Sequence, residues 1–166
     1  GRAAPLTPSS IKLKSLEVFS GIDAGKLGLR RTRRNKESLA ELLSKEIEDL
    51  SGPAAIVFAN RYTFEFVAPD AVSIGRDGFA VKFVDGFDLK PLGSPLAPGA
   101  MKKIIAEAAF SSTFFRRYWL LIDGTAEGAA KIAQAMEKLQ LGAVGVAVLT
   151  QRTSKKPLDI IRRPSN

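Results

Sequence analysis

Two charged residues on adjacent predicted strands are the first candidates for chemistry in this sequence. Asp70 follows Pro69, and Lys82 follows Val81 in the second arm of a predicted hairpin. Because antiparallel neighbours bring facing ends together, we expect the Asp70 carboxylate and the Lys82 ammonium to meet at one sheet edge. A carboxylate there can bind Mg²⁺, and a lysine can orient or deprotonate a water and stabilise charge on a phosphoryl group. The pair therefore points to phosphodiester hydrolysis.

The composition excludes most other catalytic chemistry. The chain has 166 residues and contains neither His nor Cys. That excludes imidazole bases, Ser-His-Asp triads, cysteine nucleophiles and zinc-thiolate sites. No apolar run approaches the roughly 18 residues that span a bilayer. We therefore expect a soluble intracellular protein, cytoplasmic or associated with the nucleoid, that uses carboxylates, lysines, hydroxyls or backbone amides and has no membrane partner.

Basic charge is concentrated in two segments. The net charge is +8, of which residues 26–36 carry +6 and residues 151–166 carry +4, so the rest sums to −2. A near-neutral body with basic appendages is typical of proteins that contact a polyanion, and we favour DNA over RNA. The candidate nucleic-acid contacts are Arg30, Arg31, Arg33, Arg34, Lys36, Arg116, Arg117, Lys155 and Lys156.

The elements that must position Asp70 and Lys82 follow from hydrophobic spacing. From Asn35 the predicted order is α-β-β-β-α-β-α-β, with a turn at 75–78, a loop at 85–99 and the last strands at 118–122 and 144–149. A helix between two strands implies a crossover, so the fold class is α/β with a mixed central sheet flanked by helices. We expect a flexible basic extension at 1–34, an α/β domain at 35–150 and a basic tail at 151–166.

Within the predicted α/β domain, the sequence resembles the PD-(D/E)XK nuclease superfamily, the fold of restriction endonucleases and archaeal Holliday-junction resolvases. The resemblance covers about residues 35–150 and rests on Pro69-Asp70, the Asp77-Gly78 turn, the Val81-Lys82 ending and the element order. It implies a restriction-endonuclease-like fold and a Mg²⁺-dependent endonuclease. Asp70 would bind the metal and Lys82 would position the attacking water. An acidic residue of the first helix, Glu37 or Glu41, would correspond to a further family position.

One position departs from the family pattern, because Ala80 stands where the family has Asp or Glu. Three explanations are open: the carboxylate has moved, with Glu107 or Asp85 as its source; the domain binds nucleic acid without cutting it; or Ala80 is a substitution that silences a nuclease. The alternative function is a non-catalytic structural or regulatory subunit of a nucleoprotein assembly, and a homodimer also stays open. The catalytic candidates are Asp70, Lys82, Glu41 and Glu107.

Overall fold

The computed structural model describes residues 30–31, 43–52, 55–59, 62–63, 67, 69–77, 80–92, 97–150 and 156–165. In this part of the chain the helices are α1 (Ser44–Ser51), α2 (Pro98–Ser111) and α3 (Ala126–Lys138), and a 3₁₀ turn (Ser112–Phe114) extends α2. The strands are β1 (Arg30–Arg31), β2 (Ala55–Ala59), β3 (Tyr62–Thr63), β4 (Ala71–Asp77), β5 (Ala80–Pro91), β6 (Tyr118–Asp123), β7 (Val144–Leu149) and β8 (Leu158–Arg162). None of the helices in these ranges combines the length and apolarity needed to cross a membrane.

The main sheet is mixed, as the sequence predicts. Its strand order is β2-β4-β5-β6-β7-β8, and β1 pairs separately with β3. The β2-β4 and β4-β5 pairs are antiparallel, the β5-β6 and β6-β7 pairs are parallel, and β8 returns antiparallel to β7. The helices α2 and α3 are the crossovers that parallel pairing requires. The general α/β class is therefore confirmed.

Helices cover the two faces of this sheet unequally. On one face, α2 and α3 pack against the alternate residues Val72, Ile74, Val84, Leu120, Ile122, Val146 and Val148. On the other face, Leu43 and Ile47 pack α1 and its start against Ala71, Phe87, Trp119, Leu121, Ala147 and Leu149. The two central parallel strands β6 and β7 are buried on both faces, which is why they read as continuous apolar runs in the sequence.

At two helices, the residue type at one end explains why the helix begins or ends there. The Thr125 side chain caps α3, where its Oγ1 accepts a hydrogen bond from the backbone N–H of Gly128 at 3.0 Å. Gly52 follows the last residue of α1 and has a φ of 123°, a backbone conformation that residues with a Cβ rarely adopt. The first half of the helix predicted from Asn35 lies outside the described residues.

Three sequence predictions about strand boundaries are wrong. The predicted turn at 75–78 falls partly inside β4, which extends to Asp77. The predicted loop at 85–99 begins inside β5, which continues to Pro91 because it pairs with β4 on one side and β6 on the other. Residues 158–162 of the predicted basic tail form β8, whose pairing with β7 makes them part of the sheet.

Candidate active site

The register of β4 on β5 places Asp70 beside Asp88. Ala71 pairs with Phe87, so the next position outward sets Asp70 opposite Asp88. The backbone N–H of Leu89 donates to Asp70 Oδ2 at 2.7 Å, and the two carboxyl groups are in hydrogen-bonding contact. Side chains alternate across a strand, so both carboxyl groups lie on the face opposite Phe87, beneath α2. Two acidic side chains from adjacent strands therefore meet at one point.

A lysine and a third acidic residue complete this cluster. Lys90, two residues after Asp88, points to the same face, and its Nζ lies 3.3 Å from Asp88 Oδ2. The same Nζ donates to Glu107 Oε2, on α2, at 2.8 Å. The side chains of Asp88 and Lys90 are 14% and 24% exposed, and that of Glu107 is 42% exposed. The cluster is thus open to solvent on the Glu107 side and closed at Asp88.

Tyr118 contacts Asp88 from β6. Its hydroxyl donates to Asp88 Oδ2 at 2.9 Å, and its ring stacks on Phe115 with 5.7 Å between centroids. Gly86 pairs with Tyr118 across the sheet, and a Cβ on Gly86 would lie 2.9 Å from the tyrosine ring. Because Gly86 has no side chain, the Tyr118 side chain has room to extend toward Asp88. As a result, Asp88 Oδ2 is held by both a phenol and an ammonium group.

Burial and mutual repulsion shape the electrostatics of the cluster. Burial, followed by the contact with Asp70, raises the pKa of Asp88 from 3.8 to about 7, although the charge of Lys90 opposes the rise. Burial alone lowers the pKa of Lys90, but the hydrogen bond that Lys90 donates to Glu107 and the charges of Asp88 and Glu107 outweigh burial, so the net pKa is raised. Burial also raises the pKa of Tyr118. At neutral pH the site therefore holds an ammonium group beside the Asp88 carboxyl group, which resists ionisation.

The carboxyl groups of this cluster offer the oxygen ligands that a hard divalent cation takes. Among the described residues, no group of three or more acidic side chains lies close enough together to hold a metal ion by itself. Mg²⁺ commonly takes only one or two protein carboxylates and completes its coordination with water and substrate phosphate. The Asp88 carboxyl group, whose pKa is raised to about 7 by burial and by Asp70, would gain a second positive neighbour beside Lys90 when such a cation binds. Asp70 and Asp88 are the residues that would hold it.

Of the four predicted catalytic residues, the structure brings together Asp70 and Glu107. The expectation that Lys82 meets Asp70 is wrong. The two strands run antiparallel and Asp70 lies opposite Asp88, six residues along β5 from Lys82, which is exposed. Glu41 lies outside the described residues, as does Glu37. The lysine that accompanies Asp70 is Lys90.

Asp85 has a structural partner and does not belong to the cluster. It is fully buried, and the Arg116 guanidinium donates to both of its oxygens, from Nε at 3.0 Å and from Nη2 at 2.7 Å. The guanidinium also donates to the Ser51 carbonyl and lies 3.5 Å from the centre of the Phe83 ring. These contacts are on the α1 side of the sheet. Arg116 therefore braces β5 against α1, and its predicted contact with nucleic acid is not supported by its position.

The other predicted nucleic-acid contacts are only partly described. Arg30 and Arg31 form β1, Arg117 is half-buried and Lys156 is exposed, whereas Arg33, Arg34, Lys36 and Lys155 lie outside the described residues. Lys156 borders a groove of about 590 Å³ between α1 and β8. That groove is lined by the cations Lys45, Lys156 and Arg163 and by the anions Glu46, Asp49 and Asp159. Its charges balance, so it offers a polyanion no net attraction.

Sequence reasoning missed Asp88, Lys90 and Tyr118. A signal for the first two was present, because Asp88-Leu89-Lys90 spells an acidic residue, any residue and a lysine, 18 residues after Asp70. Assigning residues 85–99 to a loop hid that signal. Tyr118 had no local signal, since its contact with Asp88 spans 30 residues.

No protein-family model, no curated protein and no solved structure matches this chain.

Proposed function

We propose that this protein is a divalent-cation-dependent phosphodiesterase that cuts nucleic acid, with DNA favoured over RNA. The observation that carries the proposal is the meeting of Asp70, Asp88 and Lys90 at one point on two adjacent strands. Paired carboxylates with a neighbouring lysine suit phosphoryl chemistry without His or Cys, neither of which the chain contains. The net charge of +8 favours a polyanionic substrate.

The topology supports a restriction-endonuclease-like fold. A helix, three antiparallel strands, a second helix and a parallel strand follow one another in the order that the PD-(D/E)XK resemblance implies. Pro69-Asp70 and Asp88-Leu89-Lys90 together supply both acidic positions and the lysine of that pattern. Ala80 then needs no explanation as a lost catalytic residue, because the second acidic residue of the motif is Asp88.

Each side chain of the cluster has a separate role in the proposed hydrolysis. Asp70 and Asp88 hold the cation, with Asp70 anchored by the Leu89 amide and Asp88 by Tyr118. The bound cation would lower the pKa of water and withdraw charge from a phosphate oxygen. Lys90, whose pKa is raised, stays an ammonium group at neutral pH. It therefore acts as a hydrogen-bond donor to the attacking water or to the phosphate, and does not act as the base that removes a proton.

Glu107 sets the position of the Lys90 ammonium group. Its Oε2 binds Lys90 Nζ at 2.8 Å, closer than the 3.3 Å that separates Nζ from Asp88 Oδ2. This contact draws the ammonium group away from the carboxyl pair, where it would compete with a cation for Asp88. Glu107 is thus a positioning residue in this proposal.

The test is cleavage of labelled single- and double-stranded DNA and RNA in Mg²⁺ or Mn²⁺. We expect the native chain to cut, and Asp88→Asn and Lys90→Ala each to lose about 100-fold or more in rate. Lys82→Ala is the matched control, since it removes an exposed lysine from the same strand, and it should cut within about twofold of the native rate. Ala80→Glu should give no gain.

Two outcomes would overturn this proposal. If Lys82→Ala abolishes cleavage while Lys90→Ala does not, the Asp88-Lys90 assignment is wrong. If the native chain binds nucleic acid with a steep dependence on salt but cuts no substrate with either cation, the protein is a binding subunit of a nucleoprotein assembly and not a nuclease. Unfolding curves for each variant separate lost chemistry from lost folding.

A further inference from the structure

The outer face of α2 carries an exposed aromatic ring. Among the large hydrophobic side chains in the described part of the chain, the exposed ones are Phe110, at 52%, and Leu139, at 57%. Leu139 caps the end of α3, a site where helices commonly fray. Phe110 lies instead within the last turn of α2, one turn after Glu107. The exposed Phe110 ring is therefore a candidate contact for a binding partner next to the candidate active site.

Helix geometry brings Phe110 and Lys103 to the border of the site. An α-helix turns by about 100° per residue. Viewed along the axis of α2, Lys103 and Phe110 therefore lie about 40° and 60° from Glu107 in the same direction. Both are exposed, whereas Ile104, Ala108 and Ser111, on the other side of Glu107, are buried. A helical side chain covers the surface over the preceding turn, so the Phe110 ring leans toward Glu107. Lys103 and Phe110 therefore flank the open side of the cluster.

The ring of Phe110 is braced from behind. Phe114, which is 8% exposed, meets it edge to face with 5.4 Å between centroids and 62° between planes. The Phe110 carbonyl accepts a hydrogen bond from Thr113 Oγ1 at 2.7 Å, which holds the end of the helix. A braced ring with an open face loses little conformational entropy when another flat group stacks on it.

The charge around the ring favours a nucleic-acid strand as the stacking partner. Lys102 and Lys103 are exposed on the same helix, while the Glu107 carboxylate is turned inward to Lys90. An aromatic ring next to cationic side chains is the arrangement with which proteins bind single strands, since each base stacks and each phosphate pairs with a cation.

We propose that Phe110 stacks on an unpaired base next to the scissile phosphate and that Lys103 binds a neighbouring phosphate. The substrate would then be nucleic acid with single-stranded character, such as a single strand, a flap or a splayed end. In an intact duplex the faces of the bases are covered by their neighbours, so the ring finds no base to stack on. The inference rests on the proposed function for the location of the scissile phosphate.

The test measures binding in EDTA by fluorescence anisotropy, with a labelled single-stranded DNA and the blunt duplex of the same sequence as probes. Phe110→Ala should weaken binding of the single strand by about 5- to 150-fold and leave the duplex within about twofold. Phe110→Trp should retain binding of the single strand and Phe110→Leu should lose it. Leu139→Ala, which removes the other exposed apolar side chain, is the matched control and should change neither.

A second variant tests the phosphate contact. Lys103→Gln should lower the slope of log affinity against log salt by about 0.7 for the single strand. The control is Lys131→Gln, since Lys131 is an exposed lysine on α3 that pairs with Glu127. Its slope should match that of the native chain.

The inference is overturned if Phe110→Ala and Leu139→Ala bind the single strand equally well, or if Phe110→Ala weakens the duplex as much as the single strand. It is also overturned if Phe110→Ala leaves both probes unchanged but alters self-association in sedimentation, because the ring is then a protein contact. EDTA removes cleavage from the measurement. Intact Phe110-dependent binding without any cleavage in Mg²⁺ would therefore count against the proposed nuclease and not against the stacking contact.

Discussion

Replacing Asp88 by Asn tests the electrostatics of the candidate site without any substrate. Asp88 is mostly buried beside Asp70, and its pKa is raised from 3.8 to about 7. An amide keeps the shape of the carboxyl group, still accepts from Tyr118 and Lys90, and can donate to Asp70. Asp88→Asn therefore imitates the protonated state of the residue and removes its titration.

The sign of the effect follows from proton linkage. The folded state binds the Asp88 proton more tightly than the unfolded state does, so the contribution of this group to stability is fully present below about pH 3.8 and is lost as the pH rises through about 7. As the pH rises from about 5 to about 8, this shift lowers the free energy of unfolding of the native chain by roughly 2–3 kcal/mol. The free energy of unfolding of Asp88→Asn does not fall in this way, because the amide does not titrate.

The measurement is the difference in unfolding free energy between the native chain and Asp88→Asn, from urea curves at both pH values in EDTA. Groups that titrate alike in the two proteins cancel in this difference. We expect it to move by roughly 2–3 kcal/mol in favour of the variant as the pH rises, which corresponds to about 5–10 °C in melting temperature. Asp159→Asn, at an exposed position of β8, is the control and should show no such change.

A constant difference between the two proteins across this pH range would refute the reasoning. It would mean that Asp88 is ionised in the folded state at low pH, and that Lys90 and Tyr118 compensate fully for its burial. A difference that moves in favour of the native chain as the pH rises would refute it more strongly. The ionised carboxylate would then be stabilising, and the site would not need a countercharge.

Three further predictions concern the cation, the buried ion pair and the room beside Tyr118. Millimolar Mg²⁺ should raise the melting temperature of the native chain at about pH 8 and leave that of Asp88→Asn unchanged in scanning calorimetry, and an equal shift in both would contradict the metal assignment. Asp85→Ala should lower the free energy of unfolding by about 3 kcal/mol in urea because it leaves Arg116 without its carboxylate, and Asp85→Leu with Arg116→Met should recover much of the loss. Gly86→Ala should cost about 1–3 kcal/mol on the same assay, since the new Cβ would press on Tyr118, and an unchanged midpoint would contradict the packing.

The elements that could be predicted are those whose signals are local. The strands at 118–122 and 144–149 are continuous apolar runs, and the Thr125 cap and the stop at Gly52 depend on the residue types at those positions. The mixed sheet follows as well, because a helix between two strands forces a crossover. These inferences hold because each depends on residues that are close together in the chain.

The strand β5 could not be predicted over its whole length. Its second half contains Asp85, Gly86, Asp88 and Lys90, a composition typical of a loop. Two of these charges pair with residues far away in the sequence: Asp85 with Arg116 and Lys90 with Glu107. A window along the sequence contains the charge but not its partner, so the strand appears too polar to be buried.

By itself, the sequence determined the chemistry that is open to this protein: a chain without His or Cys, rich in basic residues, with Asp70 in a Pro-Asp pair. Only the tertiary structure decided which residues join Asp70. The register of β4 on β5 selects Asp88 and Lys90 in place of Ala80 and Lys82, and the crossover helix α2 then brings Glu107. Register is a property of a pair of strands, set by the packing of Ala71 and Phe87 on one face and Val72 and Val84 on the other, and no single strand encodes it.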